Sequence, residues 1–119
     1  LGFRQLKVYQ LGLQQASTIF DLSIRFPKEE RYSMTDQIRR SSRSVLTNIA
    51  EGYRKRQYSR HFCSKMSDAD AENSETLVWL ELALTCNYLD DASFMICEEA
   101  NRQIGHLLGF MINNPGRFK

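Results

Sequence analysis

The densest chemistry in this sequence is cationic. Arg39, Arg40 and Arg43, followed by Arg54, Lys55, Arg56, Arg60 and Lys65, place eight bases in residues 39–65 against one acid, Glu51. A guanidinium presents its donors as a planar fork that matches a phosphate. Tyr53, Tyr58 and His61 are interleaved with these cations, and their rings can stack on unpaired bases. Arg39 and Arg43, four apart, would share one helix face. Arg60, His61 and Lys65 would open a helix, where positive charge opposes the macrodipole. Local stability does not account for them, which favours a partner. The pattern reads as a binding site for RNA or DNA. Its competitors are pairing with acids of a neighbouring helix or subunit, and a plain solvated face.

Other reactive residue types are poorly arranged. The run Asp68-Ala69-Asp70-Ala71-Glu72-Asn73-Ser74-Glu75 superficially resembles a calcium loop. It lacks the central glycine and sits in a helical, alanine-containing rhythm, so it reads as a hydrated helix face or a surface for a basic neighbour. His61 and Cys63 are two apart and would point to different helix faces. His106 stands alone. No nucleophile has a base and an orienting acid at a recognisable spacing. The expectation is therefore no enzyme, no metal and no cofactor, with the three cysteines as small core or boundary residues.

Charge is segregated behind a net value of +2. Residues 1–38 carry five bases and four acids, residues 66–101 carry nine acids and no base, and residues 102–119 carry three bases and no acid. A basic block followed by an acidic one predicts a dipolar surface, able to bind a polyanion or to pair with copies of itself. At 119 residues with 42% hydrophobic content, one domain spanning 1–119 is expected. No apolar run is long enough to cross a bilayer, and no secretion signal is read at the start. Cys63, Cys86 and Cys97 make an odd, dispersed set, for which a reducing cytoplasm is the default.

Four stretches carry helical periodicity, and none alternates with period two. In the first, Leu6, Tyr9, Leu13, Ala16 and Phe20 form a stripe, widened by Val8, Leu11, Ile19, Leu22 and Phe26 and stopped at Pro27. The second begins near Ser33 and carries Ile38, Ser42, Val45 and Ile49 inward, with Gly52 as a stop or a point of close packing. The third opens at Ser59 and repeats Phe62, Met66, Ala69, Asn73, Thr76, Leu80 and Ala83. The fourth, capped by Asp90 or Asp91, repeats Phe94, Cys97, Asn101, Ile104, Leu108 and Met111 and ends at Asn113-Asn114-Pro115-Gly116. Short connections predict an all-α, antiparallel up-down-up-down four-helix bundle. The first helix carries more apolar surface than one inward face needs. Aromatic groups crowd the basic segment as well, and together these predict a homo-oligomer.

Leu6-Lys7-Val8-Tyr9-Gln10-Leu11, Phe26-Pro27-Lys28-Glu29-Glu30-Arg31-Tyr32, Gln37-Ile38-Arg39-Arg40-Ser41 and Asn48-Ile49-Ala50-Glu51-Gly52 stand in order along the chain. With these marks the sequence resembles the four-helix-bundle proteins first noticed as reading frames in intervening sequences of bacterial 23S ribosomal RNA genes. The accessory variability proteins of diversity-generating retroelements are similar. The resemblance implies a left-handed antiparallel bundle assembled into a barrel-like homopentamer with a non-enzymatic role. For the retroelement relatives it implies a basic surface for nucleic acid and for a reverse transcriptase. One departure is visible. A proline often precedes the Asn-Ile-Ala-Glu-Gly box by two residues, and here Leu46 stands there, which predicts a straighter second helix. Within the box, Asn48 is expected to be partly buried and to fix helix register, and Glu51 to pair with Arg54 or Lys55. The alternative to nucleic-acid binding is a scaffold or adaptor whose charge blocks serve self-assembly and docking.

Overall fold

Four helices dominate the chain, which a computed structural model describes over residues 2–119. They are α1 (Lys7–Ser23), α2 (Asp36–Arg54), α3 (Ser59–Thr85) and α4 (Asp91–Asn113). Short helical turns flank them at Gly2–Gln5, Lys28–Glu30 and Pro115–Phe118, and a π-helical turn over Arg31–Thr35 leads into α2. The described residues contain no strand. Each helix packs on its neighbours in sequence, and α1 closes onto α4.

The contacts between successive helices are reversed in number. Arg40 reaches Glu72 and Ser41 meets Thr76, whereas Glu51 reaches Lys65. Asn73 bonds Asn101, whereas Cys63 bonds Ile112. The α1–α2 and α3–α4 turns share one end, where Tyr88 donates to Glu30 at 3.0 Å and packs on Phe26. The α2–α3 turn shares the other end with the C-terminal segment, where Phe62 stacks on Phe118.

The inward rows of α2, α3 and α4 lie where the periodicity predicts. Every residue of the α3 row from Phe62 to Ala83 and of the α4 row from Phe94 to Met111 is buried. The α1 row is a correction. Its buried line is Val8, Gly12, Gln15, Ile19 and Ser23, while Leu13 is 52% and Phe20 40% exposed. The inward face contains a glycine, a glutamine and a serine, so a hydrophobicity count points to the wrong side. At Gly12 a Cβ would stand 3.0 Å from Leu46 Cδ2, so α1 packs tightly on α2 there.

The core is two apolar clusters with a polar belt between them. One gathers Val8, Val45, Ile49, Phe62, Met66, Ile104 and Leu108 near the α2–α3 turn. The other gathers Ile19, Met34, Ile38, Leu80, Phe94 and Cys97 near the α1–α2 turn. Between them Gln15 donates to the Cys97 carbonyl at 2.8 Å, Thr76 donates to Ser41 at 2.8 Å, and Asn73 and Asn101 bond each other. No buried side-chain polar atom among the described residues lacks a partner, as a stable interior requires.

Termini of the helices differ from expectation in detail. Ser33 does not cap α2: it lies inside the π turn and donates to Glu30 at 2.8 Å. Ser59 is the first helical residue of α3 rather than its cap. Asp90 caps α4, accepting from the Ser93 amide at 2.7 Å. α3 ends in paired bonds from Tyr88 to Ala83 and from Asn87 to Leu84, with Asn87 left-handed at φ 63, an asparagine taking the place usually given to glycine.

Candidate nucleic-acid interface

The eight cations do not form one patch. α2 rises about 1.5 Å per residue, so Arg39 and Arg54 are separated by roughly 22 Å along its axis. Arg39 and Arg43 lie toward the α1–α2 end, and both place their guanidinium groups over the Phe20 ring, at 4.6 and 5.8 Å from its centroid. Arg39 also donates from Nε to Ser23 Oγ at 2.8 Å, which holds its fork in a single orientation. Arg54, Lys55, Arg56 and Arg60 cluster at the opposite end, around the α2–α3 turn.

Arg40 and Lys65 are already engaged. Arg40 straddles Glu72, at 3.2 Å, and Glu75. The hydrogen bond it donates to Glu75 holds the guanidinium pKa above its ordinary value. Burial pushes the Glu75 carboxyl up, but the hydrogen bonds from Arg40 and Trp79 outweigh it, and the net shift is downward. Lys65 donates to Glu51 at 2.9 Å, which raises its ammonium. The acidic block of α3 and the basic block of α2 therefore meet inside one chain at these two points. Glu51 does not pair with Arg54 or Lys55, because α3 brings Lys65 to it first.

The turn cluster is different. Among the described residues, Arg54, Lys55, Arg56 and Arg60 form no ion pair. Arg56 packs on the Tyr53 ring at 4.3 Å and donates to the Tyr53 carbonyl at 3.1 Å. Tyr58 is largely exposed and meets His61 edge to face. Lys55 closes α2 through its amide, which bonds the Gly52 carbonyl at 3.0 Å. The result is a rim of unpaired cations with two accessible aromatic rings, the arrangement that suits phosphates and unstacked bases.

The Asn-Ile-Ala-Glu-Gly box lies on α2, where Glu51 and Gly52 meet α3. Ile49 is fully buried and Ala50 half-buried. Gly52 is a point of close approach between α2 and α3: a Cβ there would stand 2.6 Å from Met66 Cε and 2.8 Å from Lys65 Cβ. It does not stop α2, which runs unbroken to Arg54. Asn48 is half-buried, but its amide donates to Ser44 of its own helix at 2.9 Å. It bonds no other helix, whereas Asn73 and Asn101 join α3 to α4. Both belong to the inward rows that the periodicity predicts, and their mutual bonding leaves no mark in the sequence.

A family model described as 23S rRNA-intervening sequence protein matches residues 4–109. The chain belongs to this family. The match takes in both the Phe-Pro-Lys-Glu-Glu-Arg-Tyr turn and the Asn-Ile-Ala-Glu-Gly box. Among solved structures, it is similar to a protein of unknown function from the S23 ribosomal protein family of Bacteroides thetaiotaomicron. The two are 29% identical, the likeness covers 89% of this chain and 95% of that one, and the TM-score is 0.80. No curated protein matches. Within the family frame, α2 is continuous through Leu46, in keeping with the missing proline.

The remaining reactive groups stay apart. Among the described residues no three His, Cys, Asp or Glu side chains gather as a metal site would require. Cys97 is buried, and burial pushes its thiol up to about 11. Cys63 is half-buried and donates to the Ile112 carbonyl, and Cys86 is exposed. No helix is long and apolar enough to cross a membrane.

Proposed function

We propose that this family member is a non-enzymatic, cytoplasmic helical bundle of up-down-up-down topology that assembles with copies of itself, as a pentamer, and binds RNA or DNA. The reversed numbering of contacts between successive helices supports the topology. Three free cysteines, Cys63, Cys86 and Cys97, support a reducing compartment. Exposed apolar side chains support self-association: Leu13, Phe20 and Ile24 line the outside of α1 and its end, and Met95 and Ile96 the outside of α4. Apolar patches of this kind mark protein contacts.

The observation that carries the nucleic-acid reading is the contrast among the bases. Arg40 and Lys65 have carboxylate partners, whereas Arg54, Lys55, Arg56 and Arg60 have none among the described residues and surround exposed Tyr58 and His61. The primary surface is therefore the α2–α3 turn, with Arg39 and Arg43 as a secondary contact along α2. A polarisation titration with single-stranded and structured RNA and DNA at two salt concentrations tests it. Binding should fall steeply as salt rises, because each phosphate contact releases counterions. Absence of binding at low salt removes the reading.

The second reading is a scaffold or adaptor, with a reverse transcriptase among its candidate protein partners. The exposed apolar residues on α1 and α4 favour it, since a nucleic-acid interface does not need them. Light scattering that shows an oligomer, together with a flat polarisation titration, would select it.

A further inference from the structure

We propose that the cavity at the α1–α2 turn is a second ligand site, built for a phosphorylated group of about mononucleotide size. The cavity measures ≈500 Å³, within the range of small-molecule sites. Its floor is buried Ser23, Phe26 and Thr35, and its cations are Lys28, Arg31 and Arg39. No carboxylate lines it. None of the three cations is in an ion pair among the described residues. Of the acids on this turn, Glu30 accepts from the hydroxyls of Ser33 and Tyr88.

The site is held in place from within. Arg39 is half-buried, with Nε bonded to Ser23 and its plane over Phe20. One donor is thereby used to aim the others, an orientation that a flexible surface arginine lacks. Thr35 is only 8% exposed and lines the same cavity. Three cations converging without a carboxylate call for an anion with several acceptors, and phosphate supplies them.

The rest of the wall is apolar or aromatic. Tyr32 is 81% exposed, and Arg31 lies over its ring at 5.6 Å. Ile24 and Pro27 complete the rim. A bare phosphate leaves these groups unused, whereas a base or sugar attached to it covers them. Free mononucleotide and the 5′-phosphorylated end of a strand share this chemistry. The site sits at the end of α2 away from Arg54–Arg60, so it stands or falls independently of the turn surface.

Calorimetry and amide-shift titration of the full chain with AMP, adenosine and inorganic phosphate test the site. AMP is expected to outbind both adenosine and phosphate, with shifts confined to residues 23–39. Arg31→Gln, on an exposed side chain, and Arg39→Gln should each weaken AMP by about tenfold, the scale of one charge-assisted hydrogen bond. Thr35→Val, which preserves shape, should weaken it less. Arg54→Gln/Arg56→Gln/Arg60→Gln should leave AMP binding unchanged. Oligonucleotides with a 5′-phosphate or a 5′-hydroxyl then separate the sources: a preference for the phosphorylated strand assigns the site to strand ends, and equal binding assigns it to free nucleotide. AMP binding no tighter than adenosine, or indifferent to Arg31→Gln, overturns the proposal.

Discussion

Asn73 on α3 and Asn101 on α4 bond each other reciprocally across the bundle interior. Asn101 Nδ2 donates to the Asn73 carbonyl at 2.7 Å and to Asn73 Oδ1 at 3.0 Å, while Asn73 Nδ2 donates to the Asn101 carbonyl at 2.9 Å. Both side chains are buried, between the two apolar clusters. This pair fixes how far α3 can slide along α4. A shift of one turn would leave two amides without partners in a dry interior.

Asn101→Leu should therefore cost about 1–3 kcal/mol, because Asn73 Oδ1 loses its donor while remaining buried. Asn73→Leu/Asn101→Leu should recover most of that loss, since no orphaned group remains. Urea unfolding measures both. Additive losses in the double variant would show that the two amides act separately.

Gly52→Ala tests the close approach of α2 to α3. Alanine gains about 1 kcal/mol of helix propensity over glycine. The added Cβ would lie 2.8 Å from Lys65 Cβ, an atom near the α3 backbone that cannot swing aside as the Met66 tip can. Overpacking of this kind costs about 1–3 kcal/mol, so the variant should be less stable despite its better propensity. A midpoint equal to or above that of the parent would mean that the helices separate without cost.

The arginines divide by function. Arg40→Gln should change RNA affinity little and reduce stability by no more than about 1 kcal/mol, the scale of an exposed ion pair. Arg54→Gln and Arg60→Gln should weaken RNA uniformly across sequences and lower the salt slope by about one per lost contact. If Arg40→Gln weakens RNA as much as the turn variants do, the binding surface extends along α2 instead.

Acid should destabilise the bundle. The carboxyls of Glu30, Glu75 and Glu99 all lie below their ordinary value of 4.5. For Glu30 the Ser33 hydroxyl is the main cause and Tyr88 the next, and for Glu99 the Arg102 hydrogen bond lowers it to about 2. A depressed carboxyl contributes stability that is complete above its unfolded value and is lost as pH falls through the folded one. Melting temperature should hold steady down to pH 4.5 and decline from there toward about 2. A melting temperature that rises on acidification would contradict these pairings.

Much of this molecule was legible in its residues. The rows Phe62–Ala83 on α3 and Phe94–Met111 on α4 and the Asp90 cap follow from spacing and residue type, because a helix repeats every 3.6 residues and its buried face must repeat with it. The buried face of α1 does not follow its apolar stripe. Gly12, Gln15 and Ser23 face inward to meet Leu46, the Cys97 carbonyl and Arg39, which belong to other helices.

The order of charges along the chain established by itself that a basic block precedes an acidic one. Only tertiary packing decided which cations keep their freedom. Arg40 and Lys65 lose it because α3 folds back along α2 and sets Glu72, Glu75 and Glu51 beside them. Arg54, Lys55, Arg56 and Arg60 form no ion pair among the described residues, because the neighbouring acid, Glu51, is held by Lys65 and α3 begins with bases where it leaves the turn. Lys28, Arg31 and Arg39 belong to one cavity only because the chain reverses between α1 and α2. Partners contributed by distant segments leave no period in the sequence, and electrostatic pairing depends on distance in space, not on separation along the chain.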